Sequence, residues 1–141
     1  MEQNHDILLL MKIITDRAVT LFASKAKLPL TSAQGRVLSY LAARQDAPVA
    51  QKDIERHLGI THSTAKGLLQ RLEEKGYVRT AFDSDDKRVK HIYRTPKSKK
   101  VKETLSAYVD ELEAELFRGL SMEELERLLG SLRRIRDNVF P

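Results

Sequence analysis

Between Asp6 and Ala26 the apolar residues Ile7, Leu10, Met11, Ile14, Ala18, Leu21 and Phe22 keep the spacing of one helical face, which predicts a helix. Leu8, Leu9, Ile13 and Val19 place further apolar groups on its other faces, more than one core can cover. Two readings follow, a central helix of a single domain or a subunit interface, and the surplus favours the interface. Leu28-Pro29-Leu30 breaks the helix, and Thr31 with Gln34 forms a capping box that opens a second one, running to about Ala43 with Val37, Leu38 and Leu41 inward. A turn at Asp46, Ala47 and Pro48 leads to a short helix, Gln51 to Leu58, with Ile54 and Leu58 inward and Gly59 suited to end it. Thr61 then caps a helix striped with Ala65, Leu68, Leu69 and Leu72, which Gly76 stops. Two short helices around a glycine turn make a helix-turn-helix.

After Gly76 the period changes from helical to alternating. Tyr77 to Thr80 and His91 to Thr95 read as strands, with the polar residues Ala81 to Lys90 between them, so a hairpin with a long charged tip is expected. Thr95 and Pro96 suit Ncap and N1 of a long helix with Val101, Leu105, Tyr108, Val109, Leu112 and Leu116 on one face, ended by Gly119. Ser121 and Glu124 form a second capping box, ahead of a last helix bearing Leu125, Leu128, Leu129, Leu132, Ile135 and Val139. The expected fold is α+β, mostly α: a winged helix-turn-helix flanked by N- and C-terminal helices. It is expected to be one domain over 1–141, with helices at 6–30 and 96–139 flanking the winged helix-turn-helix lobe at 31–95.

Composition narrows the chemistry. With 141 residues, 41% hydrophobic and 32% charged, the chain is globular in character and long enough for one core. The absence of Cys excludes disulfides, thiolate metal sites and a Cys nucleophile. The longest apolar run, Ile7 to Met11, is closed by Lys12, far short of the roughly 18 residues of a membrane span. Glu2 and Asp6 stand where a basic leader belongs, so no secretory signal is expected and the cytoplasm is the expected location.

The net charge of +5 is unevenly placed. Residues 51–100 hold 13 Lys+Arg against 7 Asp+Glu, a net +6, while the rest holds 12 against 13. A basic excess confined to the helix-turn-helix and hairpin is the footprint expected of a surface that meets phosphates. With its stripe inward, the second helix of the motif turns His62, Ser63, Lys66, Gly67 and Gln70 outward. Gln70 suits adenine, Lys66 suits guanine or phosphate, and Thr61, Thr64 and Arg71 suit phosphates. Gly67 costs about 1 kcal/mol relative to Ala inside a helix.

Other chemistry is not supported. His5, His57, His62 and His91 form no helical pair four residues apart, so no metal and no cofactor are expected. Asp53 and His57 are read as a surface pair, and the carboxylates from Asp110 to Glu115 as an exposed face. No acid–base pair or phosphate-cradling glycine loop is present, which argues against an enzyme.

Three stretches together resemble the MarR family of bacterial transcriptional regulators over almost the whole chain, from Ile7 to Val139. Leu30-Thr31-Ser32-Ala33-Gln34 with Val37-Leu38 is similar to the opening of the family's second helix. The stretch from Leu58 to Thr64 that runs on to Leu72-Glu73-Glu74-Lys75-Gly76-Tyr77-Val78 resembles its recognition helix. Asp83-Ser84-Asp85-Asp86-Lys87-Arg88 resembles its wing signature. The resemblance implies that Arg88 enters the minor groove with its guanidinium held by Asp86, and that Lys87 and Lys90 add phosphate contacts.

It also implies a homodimer formed by the first, fifth and sixth helices, a pseudo-palindromic double-stranded operator, and repression relieved by a small aromatic or phenolic effector. Arg17, Arg36 and Tyr40 lie on helices bordering the cleft such an effector would enter, but are read in the first place as ordinary surface or core groups, and no effector-binding residue is assigned. Two positions depart from the family pattern: Ala50, where a hydroxyl residue usually caps a helix, and Gly67, where a side chain is usual. The alternative reading is a winged-helix module that docks another regulator.

Overall fold

Side chains local in sequence start the helices. The computed structural model describes residues 2–27 and 29–140, with side chains from residue 5 onward; Leu28 of the expected helix break lies outside the described residues. The elements run α1 (Glu2–Ala26), α2 (Ser32–Ala43), β1 (Val49–Ala50), α3 (Gln51–Leu58), α4 (His62–Glu74), β2 (Val78–Phe82), β3 (Lys90–Arg94), α5 (Pro96–Leu116) and α6 (Met122–Val139). At the start of α2 the Thr31 hydroxyl accepts the Gln34 N–H at 3.2 Å, while the Gln34 side chain accepts the Thr31 N–H at 3.0 Å. Ser121 and Glu124 repeat the reciprocal cap at α6, and Thr61 and Thr95 cap α4 and α5 through the N–H groups of Thr64 and Ser98. At α3 Ala50 has no acceptor to offer; instead its own N–H donates to the Asp53 carboxylate at 2.9 Å, which supplies one half of a box.

The main hydrophobic core lies where α2, α3 and α4 meet the sheet. Val37, Leu38, Leu41, Ile54, Leu72, Val49, Val78 and Ile92 are all buried there. Removing a side chain such as Ile54 or Leu72 from this cluster costs about 2–5 kcal/mol. The three strands are antiparallel in the order β1-β3-β2, with Val49 opposite Ile92 and Val78 opposite Arg94. No local pattern announces β1: its two residues pair only with β3, far along the chain, Val49 with Ile92 and Ala50 with His91.

The hairpin strands extend further than the alternation indicated, and the tip is accordingly shorter, residues 83–89 rather than 81–90. Asp83 N–H donates to the Val89 carbonyl at 2.8 Å and closes it. The long helix stops at Leu116, three residues before Gly119, with Phe117 N–H bonded back to Glu113. Gly119 serves the connecting turn instead, at φ +89°.

α1 packs along α5, and α5 reaches α2 through the buried Leu105 and Leu112. In the single chain this leaves much apolar surface uncovered. Ile7, Leu8, Leu9, Leu10, Ile13 and Ile14 on α1 are at least half exposed or nearly so, and Leu128, Leu129, Leu132, Ile135 and Val139 on α6 are exposed. No residue of α6 is buried. Among the described residues no helix is long and apolar enough to cross a membrane.

Candidate nucleic-acid interface

Gly59 takes the left-handed conformation, φ +63° and ψ +42°, that turns the chain from α3 into α4. The burial of Ala65, Leu68, Leu69 and Leu72 then fixes the rotation of α4. His62, Ser63, Lys66, Gln70 and Arg71 are exposed as a result, together with Thr61 and Thr64 at the helix start. The expected outward set is therefore brought onto one surface.

Several of these side chains have partners within the fold, of which only the Thr61 cap was expected from the sequence. The Thr61 hydroxyl accepts the Thr64 N–H and donates to the Thr64 hydroxyl at 2.9 Å, so it is engaged as a cap. Gln51 on α3 reaches α4, its amide nitrogen lying 3.0 Å from His62 Nδ1 and donating to the His62 carbonyl at 3.2 Å. Glu55 Oε2 lies 3.4 Å from the same ring nitrogen. These contacts orient the first turn of α4 from the helix before it. Gln70 donates to Glu74 at 3.4 Å, a weak contact that leaves it free to turn outward.

The hairpin tip presents a fixed cation. Asp86 Oδ1 accepts the Arg88 backbone N–H at 3.0 Å and its Nε–H at 3.1 Å, while Oδ2 accepts from Nη2 at 3.3 Å. The Arg88 side chain is 91% exposed. Its hydrogen bonds hold the Asp86 carboxyl below its usual range, so the pair stays charged at neutral pH. Lys87 and Lys90 are exposed on either side of it. A basic helix face beside a cationic arm is chemically suited to a polyanion with two binding levels.

Asp53 and His57 do not pair, contrary to the reading from their spacing. The carboxylate of Asp53 is turned to the Ala50 N–H, and the His57 ring packs on Tyr40 with centroids 4.4 Å apart. The Tyr40 hydroxyl in turn accepts from Arg44 at 2.6 Å. Burial first, then the charges of Arg44 and Arg136, lower the His57 pKa from 6.5.

An apolar cavity of about 310 Å³ opens where α1, α2 and α5 meet, lined by Val19, Phe22, Gly35, Leu105, Val109 and Leu112 with Arg36 and His57 at its edge. Of the three residues on helices expected to border such a cleft, Arg36 lines it, whereas Arg17 is exposed on α1 and Tyr40 borders a different cavity beside Arg44 and Phe140. Among the described residues no three His, Asp or Glu side chains converge as a metal site would require.

Comparison with known proteins agrees with this geometry. A family model described as the MarR family matches residues 28–89. The chain is similar to MepR of S. aureus, solved as a complex with DNA, at 30% identity over 92% of this chain and 94% of that one, with a TM-score of 0.82. It is similar to the transcription regulator MarR of Oenococcus oeni PSU-1 at 30% identity, over 93% and 98% of the two chains, with a TM-score of 0.78. It is also similar to CouR of Rhodococcus jostii RHA1, solved bound to p-coumaroyl-CoA, at 27% identity, over 93% and 92%, with a TM-score of 0.82.

Proposed function

The chain belongs to the MarR family of transcriptional regulators, a DNA-binding class, and from that premise we propose that it is a homodimeric repressor released from its operator by a small aromatic or phenolic effector. The observation that carries the DNA-contact reading is the wing-tip guanidinium, 91% exposed yet held at three points by Asp86. Such a cation enters a narrow minor groove with little orientational freedom left to lose.

In this reading α4 lies in the major groove. His62, Ser63, Lys66 and Gln70 face base edges, Thr61, Thr64 and Arg71 face phosphates, and Lys87 and Lys90 flank Arg88 along the backbone. The uncovered apolar faces of α1 and α6 support a two-fold dimer, which pairs with a pseudo-palindromic site whose half-sites are about one helical turn apart. The apolar cavity beside Arg36 supports an effector site between the dimer helices and the DNA-binding lobe. A ligand there acts by binding one spacing of the two lobes more tightly than the other. That CouR was solved with p-coumaroyl-CoA supports a ligand-responsive design in a relative.

Sequencing the genomic fragments that the purified protein retains tests the reading, followed by a reporter fused to the promoter recovered. Retention of a palindromic site, and higher expression when the gene for this chain is deleted, are expected. Retention without sequence preference, or lower expression on deletion, contradicts it.

A further inference from the structure

Gly67 has no evident reason to be glycine within the protein. It sits inside α4 with helical backbone, and a Cβ built there meets no heavy atom within 4 Å. The space it leaves belongs to a cleft of about 400 Å³ between α2 and α4. On the α4 side the cleft is walled by Thr64, Gly67, Leu68 and Arg71, one stripe at i, i+3, i+4 and i+7; across it stands Arg36 of α2. No Asp or Glu lines the cleft, and neither guanidinium has a carboxylate within 4.0 Å among the described residues.

We infer that this cleft seats a backbone phosphate of the bound duplex, clamped between Arg36 and Arg71, and that Gly67 is bare so that the sugar-phosphate chain can approach the helix backbone. Two guanidinia at one cavity repel each other until an anion joins them, and guanidinium geometry matches phosphate oxygens bidentately. The Ser63 and Thr64 hydroxyls at the same wall are further donors of the kind that phosphate contacts use. A DNA phosphate is the occupant because the cleft continues the α4 surface that carries Ser63, Lys66 and Gln70. The inference thus rests on the reading of α4 as the recognition helix and adds Arg36 and Gly67 to it.

The test uses the full-length protein, a duplex cut from its best-retained genomic fragment, and a random duplex of equal length. Gly67→Ala is expected to raise the melting temperature of the free protein, through better helix propensity, while weakening binding about tenfold on both duplexes. Arg36→Gln is expected to weaken both by a similar factor and to reduce the slope of log affinity against log salt by about 0.9. The opposed signs of the Gly67→Ala effects separate a contact role from a structural one. If both variants bind as the wild type does, with an unchanged slope, the phosphate seat is wrong. Should Lys66→Ala and Arg88→Ala lose affinity in that same experiment, the cleft alone falls; should they also bind normally, the reading of helix and wing falls with it.

Discussion

Asp86 grips Arg88 at three points from only two residues away, through the backbone N–H, Nε and Nη2, although the arginine side chain is almost wholly in solvent. An exposed ion pair of this kind adds little to stability. Its effect is to set a direction for the guanidinium before DNA arrives.

With Arg88 in the minor groove as proposed, Arg88→Ala is expected to lower operator affinity by about tenfold or more and to change the melting temperature very little. Asp86→Ala keeps the charge but frees the side chain, so a smaller loss is expected. The Asp86 pKa is depressed in the folded protein, so the pair is fully present above the ordinary carboxylate range and fails only as pH falls through the lowered value. Fluorescence anisotropy down to about pH 5 checks that wing-dependent binding survives mild acid.

Ala50 offers a stability test away from DNA. Its N–H is satisfied by Asp53, but the reciprocal acceptor is missing. Ala50→Ser completes the box and is expected to stabilise the fold by about 0.5–1 kcal/mol, whereas Asp53→Ala costs about 1 kcal/mol. Urea denaturation midpoints measure both.

His57 links stability to pH. Burial and the Arg44 and Arg136 charges lower its folded pKa, so the folded chain resists a proton that the unfolded chain accepts near 6.5. The contribution is complete above that value and is lost as pH falls towards the depressed folded value. Wild-type urea midpoints accordingly drop through that window by more than those of His57→Gln; equal drops contradict the assignment.

The uncovered apolar faces predict what would hold the subunits of the proposed dimer together. Ile14 and Leu129 are about half exposed in the single chain. Burying one such side chain is worth about 1.5–3 kcal/mol, and two-fold symmetry counts each twice. Ile14→Glu with Leu129→Glu is expected to raise the dimer dissociation constant at least about 100-fold by sedimentation, with helical content retained.

What the sequence disclosed and what it withheld divide along sequence distance. Thr31 with Gln34, Ser121 with Glu124, and Gly59 act within a few positions, so their local chemistry announced the helix ends. The stripe Ala65, Leu68, Leu69 and Leu72 set the outward face of α4 for the same reason. The two-residue strand at Val49 and Ala50, the Tyr40 and His57 stack, and the reach of Gln51 to His62 depend on segments folded together from further apart. Four-residue spacing suggests a partner for Asp53 on its own helix face, but the orphan N–H of Ala50 at the helix start has the stronger claim on its carboxylate. Local pattern places Arg36 on the second helix, but only the packed arrangement brings it to two cavities.

Affinity for the retained genomic fragment, measured against salt from about 50 to 200 mM, tests the central claim most directly. A dimer making six or more phosphate contacts loses orders of magnitude across that range and prefers its site over random DNA, while the Arg88→Ala dimer binds more weakly at every salt concentration. No retained fragment at about 50 mM salt, or wild-type and Arg88→Ala affinities that coincide, contradicts it.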